Sequence, residues 1–144
     1  MNQITVKEVE YIAHRLAKEL FNFNEPIPDF SIRFQHRLES CLATPFLECG
    51  KRPFYPTLVS KASILFYLMI KNRPFQNGNK RIAMTTLLVF LAKNKKWLKV
   101  DPEDLYNFTV WIATSPAPSK EGAVQSIEKF VSSHLIALVI SPPD

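Results

Sequence analysis

Two stretches of this chain, Lys61 to Asn72 and Lys80 to Lys93, are apolar almost all the way round, and only seven residues separate them. A helix with no polar face must be enclosed on every side, so two of them in succession require a bundle built around a central pair. Ala, Leu and Met favour helix over strand in both stretches. Three glycines against eleven prolines agree, because an all-β chain needs more glycine for its tight turns. The 144 residues suit one domain with a substantial core, and 47% apolar with 22% charged residues excludes disordered and fibrous classes.

Further helices are expected around this pair. Thr5-Val6-Lys7-Glu8 is a capping box, followed by Val9, Ile12, Ala13, Leu16 and Leu20 at helical spacing, with a stop before Glu25-Pro26-Ile27-Pro28. A second helix is predicted over about Ser31–Ala43, with Phe34, Leu38, Cys41 and Leu42 inward and Thr44-Pro45 ending it. Thr57 or Ser60 caps the first central helix. The second central helix ends in the basic cluster Lys93-Asn94-Lys95-Lys96, which suits a helix C-terminus. Asp101-Pro102-Glu103-Asp104 opens a helix to about Thr114, and Ser119 caps a last one carrying Val124, Ile127, Val131 and Leu135. The stretch PFLECGKRPFYP, Pro45 to Pro56, is too irregular for a helix and reads as an exposed hairpin or flap. The expected architecture is all-α, about six helices with a small hairpin, in a single domain 1–144.

Eighteen Lys and Arg against thirteen Asp and Glu leave a net charge of +5, which suits an anionic partner without choosing among nucleic acid, acidic protein and nucleotide. Apart from Lys93 to Lys96 the basic residues are dispersed, which argues against direct nucleic-acid binding. Cys41 and Cys49 form no CxxC or Cys/His cluster and read as reduced, half-buried thiols. MNQITVKEVE has no apolar signal core, and the uncharged runs Ala62–Ile70 and Ile82–Ala92 are too short for the ~20 residues of a membrane span. No membrane association and a cytoplasmic location are therefore expected.

The connector between the central pair, Arg73-Pro74-Phe75-Gln76-Asn77-Gly78-Asn79-Lys80-Arg81, carries the chemistry. Gly78 permits a positive φ or a close backbone approach, Asn79 can cap, and helix-start amides beside Lys80 and Arg81 make an anion-binding nest. Basic residues at a helix N-terminus oppose the macrodipole, so their presence favours a bound anion over a stability role.

This connector resembles the signature loop of the Fic/Doc family, His-x-Phe-x-(Asp/Asn)-(Gly/Ala)-Asn-(Gly/Lys)-Arg, at every position but the first. Phe34–Pro45, Tyr55-Pro56-Thr57 and Lys61–Lys93 resemble its death-on-curing branch, about half the chain. The resemblance implies that Phe75 anchors the loop, that Asn77 stands where a Mg²⁺ ligand is placed, and that Gly78, Asn79 and the following amides hold phosphate. It also implies that Arg81 pairs with a phosphate as a planar fork. Asn77 brings no charge, so weaker metal binding is expected. Lys80 marks the branch that transfers the phosphoryl group of ATP to a protein hydroxyl, with AMP transfer as the alternative.

Arg73 occupies the position of the family's general-base His. Arginine stays protonated and offers no acceptor, so the chain is expected to be inactive, as a silenced toxin or a nucleotide-binding pseudoenzyme. His14, His36 and His134 are distant in sequence and read as surface or capped-core residues. The family's inhibitory pattern, (Ser/Thr)-x-x-x-Glu-(Gly/Asn), finds only a near miss at Thr44-Pro45-Phe46-Leu47-Glu48-Cys49. Inhibition in trans by an antitoxin with an acidic segment is implied instead. The resemblance further implies that Phe46–Tyr55 docks the target protein's backbone and that the target is elongation factor Tu.

Overall fold

In a computed structural model, which describes residues 1–20 and 26–139, the chain is an all-α bundle with two small two-stranded sheets. Among the described residues there are six helices. Helix α1 runs over 6–19 as Val6–Glu8, a π-helical stretch Val9–Ala13, and His14–Glu19. It is followed by α2 (Gln35–Ala43), a 3₁₀ turn (Thr44–Phe46), β1 (Glu48–Cys49) and β2 (Arg52–Pro53). The central helices are α3 (Leu58–Lys71) and α4 (Asn79–Lys93). Strand β3 (Lys96–Leu98), α5 (Pro102–Thr114), a second 3₁₀ turn (Ala117–Ser119), α6 (Lys120–His134) and β4 (Leu135–Ala137) complete the order.

The central pair is enclosed as its pattern required. Lys61 through Ile70 of α3 are all buried, as are Arg81 through Leu91 of α4. Helices α1, α5 and α6 pack around this pair. The caps follow local sequence at three starts. Thr5 Oγ1 accepts from Glu8 N while Glu8 Oε1 accepts from Thr5 N. Thr57, rather than Ser60, caps α3, with Ser60 completing a reciprocal box. Asp101 Oδ1 accepts from Glu103 N, with Pro102 at the first helical position. At Ser119 the cap position is as expected, but no side-chain cap bond forms.

Several expectations need correction. In α1 the buried stripe is Val9, Ala13 and Ala17, joined by His14, while Ile12 and Leu20 are 43% and 44% exposed. The wider π turn aligns residues four apart, and the two alanines let α1 approach α4 closely enough for Thr85 Oγ1 to donate to Ala13 O at 2.8 Å. Helix α2 begins at Gln35, not Ser31, because 33–34 pairs with the connector: Arg33 bridges Phe75, and Phe34 N donates to Pro74 O at 2.9 Å. This extended backbone turns Phe34 outward, 41% exposed, under the Arg37 guanidinium.

The expected hairpin forms as β1 and β2, antiparallel, with Gly50 at φ +65° in its turn. Cys49 is exposed on it, whereas Cys41 is fully buried, so neither thiol is half-buried. Burial pushes the Cys41 thiol up to about 11. The β3–β4 pair, with Trp97 opposite Ile136, was not anticipated, and the expected core position Leu135 lies on it. Among the described residues no helix is long and apolar enough to cross a membrane.

Candidate active site

The connector 73–81 leaves α3 at its C-terminus and re-enters the bundle at the start of α4, so its ends are held by the most buried elements. Phe75 is 1% exposed, packed against Phe30 at 5.8 Å and His14 at 6.0 Å between ring centroids. Asn79 is buried, and its side chain fastens the loop to itself. Oδ1 accepts from Phe75 N at 3.0 Å and Nδ2 donates to Phe75 O at 2.7 Å. Asn79 therefore acts as a staple within the loop instead of capping the helix; the N-cap is Gly78.

Gly78 lies at φ +72°, in the left-handed region open to glycine. A Cβ there would stand 2.7 Å from Ile27 Cδ1 and 2.9 Å from Pro26 O. The close approach foreseen at this glycine is made by the chain's own 26–27 segment. Asn77 is exposed, and its Oδ1 accepts from Gly78 N at 2.9 Å. The first turn of α4 follows, and its earliest intrahelical bond joins Ile82 N to Gly78 O at 3.0 Å.

The three cations of the connector have different settings. Arg73 is exposed, at φ +47°, and its carbonyl accepts from Arg37 Nη1 at 3.4 Å. Lys80 is half-buried. Arg81 is 6% exposed and points into the bundle, where Nη2 donates to Ala17 O and to Leu20 O at the C-terminus of α1. A cation there complements the negative end of the α1 dipole, so Arg81 joins the first helix to the central one.

A cleft of about 210 Å³ opens beside the connector, lined by Ile70, Lys71, Arg73, Asn79, Lys80 and Ala113. Its volume lies below the roughly 300–1,000 Å³ of pockets that enclose whole drug-sized ligands, and fits a phosphate-sized group with the rest of a ligand outside. Lys71 Nζ donates to Ser115 O and Ala113 O, holding the end of α5 against the cleft. Lys71 escaped the sequence reading although it stands two residues before the connector, because nothing local shows that α5 ends beside it.

His14 is the capped-core histidine expected: it is 3% exposed behind Phe75, with Nε2 donating to Pro28 O at 2.9 Å. Burial holds its pKa below the ordinary histidine value. His36 is exposed, and His134 bonds Phe130 O at 2.7 Å. None of the three lines the cleft. No carboxylate occurs within 73–81, and among the described residues no group of three His, Cys, Asp or Glu side chains could hold a metal ion.

The family model described as Fic/DOC family matches residues 3–91, which take in α1 to α3, the hairpin, the connector and most of α4. The chain belongs to the Fic/DOC family. No curated protein and no solved structure matches it significantly. Membership brings a general class of chemistry: Fic/DOC proteins use nucleoside triphosphates, and antitoxin partners commonly regulate them. In this Fic/DOC chain the cleft at the connector brings Lys71, Arg73 and Lys80 to one space, a lining of cations that can receive an anionic group.

Proposed function

We propose that this chain is a Doc-type toxin of a toxin–antitoxin module, built to transfer a phosphoryl group from ATP to a hydroxyl of a target protein and silenced by Arg73. The observation that carries this reading is the cleft at the connector, lined together by Lys71, Arg73, Asn79 and Lys80. Lys80 and the amides at the start of α4 receive phosphate oxygens there. Lys80 in place of a glycine favours movement of the terminal phosphoryl group over AMP transfer. Arg73 stands at the mouth of the cleft, exposed and cationic, where the reaction needs a neutral acceptor for the proton of the attacking hydroxyl. It adds a phosphate contact and removes turnover.

Arg81 serves phosphate in this reading only after leaving the carbonyls of Ala17 and Leu20. Mg²⁺ would accompany the nucleotide, neutralising phosphate charge. Asn77 would supply a neutral oxygen toward it, a poorer donor than a carboxylate, leaving phosphate oxygens and water to complete its ligands. The target is elongation factor Tu, offered a backbone edge by the flap 46–55. The inhibitor is an antitoxin whose acidic segment meets the +5 chain in trans.

Arg73→His restores the base and tests the reading. The restored protein should arrest growth and label its target from ATP carrying the isotope in the γ position. Label transferred only from the α position identifies AMP transfer. A harmless protein that transfers neither refutes the toxin reading. Calorimetric titration of the unaltered chain with ATP then distinguishes a nucleotide-binding pseudoenzyme from an inert fold.

A further inference from the structure

Lys61 lies in the first turns of α3 and is 6% exposed. Burying an ammonium group is costly unless its donors are used. Here they are satisfied without a carboxylate. Nζ donates to Pro45 O at 3.0 Å and to Tyr55 O at 2.5 Å, and stands 4.8 Å from the centroid of the Phe46 ring. These partners stand on either side of the β1–β2 hairpin: Pro45 leads into it and Tyr55 leads out. The ring completes the set, and Phe46 is itself fixed edge-on to Phe90 of α4 at 6.2 Å.

Above this root the hairpin is exposed throughout. Glu48 through Phe54 are all solvent-accessible, and the strands are only two residues long. Two-residue strands cannot orient themselves, since an isolated hairpin is marginal in water. The Phe54 N to Leu47 O bond at 3.1 Å closes the hairpin but does not aim it. Phe46 and Tyr55 pack against the core, and the Lys61 ammonium is the group that hydrogen-bonds both legs to α3. A methionine would fill similar space, yet would take the donor from one buried carbonyl, Pro45 O, and one half-buried carbonyl, Tyr55 O.

We infer that Lys61 is a positioning residue that pins both legs of the flap to α3 and so fixes the direction in which the flap presents its free edge. The inference rests on the flap's role as the target-docking edge in the proposed function, and names the residue on which that role depends. Lys61 touches neither the cleft nor a substrate. Its effect is to pre-pay the ordering of the flap, which a docking segment would otherwise have to supply.

Two measurements test it separately. Amide exchange in Lys61→Met should accelerate at Leu47 and Phe54 by about tenfold or more, while amides within α3 and α4 follow only the change in global stability. Tryptic cleavage after Lys51 should rise in parallel, and Lys61→Gln, which keeps one polar donor on a shorter stem, should fall between. Unchanged hairpin exchange, or acceleration shared equally by the central helices, overturns the inference. In the Arg73→His background, Lys61→Met should raise KM for the protein target about fivefold or more and leave KM for the nucleotide within about twofold. An unchanged target KM also overturns it. If Arg73→His labels nothing, the functional reading fails by itself, and hairpin exchange alone decides whether Lys61 pins the flap.

Discussion

Gly78 and Arg73 show how little of a residue's role is carried by its type. Both have a positive φ, +72° and +47°. Gly78 could be read from sequence as a turn or close-approach position, and it is both. What comes close is the Ile27 side chain together with the Pro26 carbonyl, which no local pattern around residue 78 reveals. Gly78→Ala therefore meets a steric clash and an unfavourable backbone region together, and should lower stability by about 1–3 kcal/mol in urea denaturation. A loss below the range expected of an ordinary surface substitution would mean that 26–27 yields freely. Arg73 tolerates its left-handed backbone, a region in which histidine is several-fold enriched, so the Arg73→His variant is compatible with the conformation seen. Asn79 shows the converse. Its type suggested a cap, and its buried side chain instead holds Phe75 N and O, because the anchored ring brings that backbone within reach.

Three helix starts were legible from local sequence, since a cap needs only residues within one turn of each other. Thr5 and Asp101 accept from amides within their own first turns, and of the two candidates Thr57 and Ser60 it is Thr57 that caps, accepting from Ser60 N. Thr57→Ala should cost about 1 kcal/mol, seen as a lowered denaturation midpoint with an unchanged slope. Elements fixed by distant partners were not legible. The π stretch in α1 exists against α4, α2 is shortened by pairing of 33–34 with 74–75, and β3 meets β4 from nearly forty residues away. In each case the competing interaction lies outside any window in which periodicity is counted. Hence Ile12, Leu20 and Phe34, apolar and correctly spaced for burial, remain substantially exposed.

For the molecule as a whole, two buried groups tie the first helix to the connector. Arg81 links α4 to the carbonyls that end α1, so Arg81→Ala should lower stability in the absence of any nucleotide, by about 2–4 kcal/mol. A purely phosphate-binding arginine would leave the ligand-free protein unchanged, and denaturation of the variant distinguishes the two. His14 makes the same junction sensitive to pH. Burial lowers its pKa first, opposed by the Pro28 carbonyl; Lys18 lowers it further, while Asp29 and Glu10 raise it. The folded state thus binds this proton less readily than the unfolded chain, whose histidine titrates near 6.5. Stability from this site is complete above that value and is lost as pH falls below it. Denaturation midpoints should decline from pH 7 toward pH 5.5, and His14→Phe should flatten that decline. The amino-acid sequence alone was enough to require an all-α bundle around two enclosed helices, because all-round apolarity and capping are properties of neighbouring residues. It was also enough to single out 73–81 as the candidate site, through its glycine, its amides and its cations. Only the tertiary structure decided that Gly78 is closed over by 26–27, that Arg81 faces α1, and that the Lys61 ammonium donates to Pro45 O and Tyr55 O on either side of the hairpin. Each of these is a contact between residues far apart in the chain, made when burial leaves a polar or backbone group no other partner.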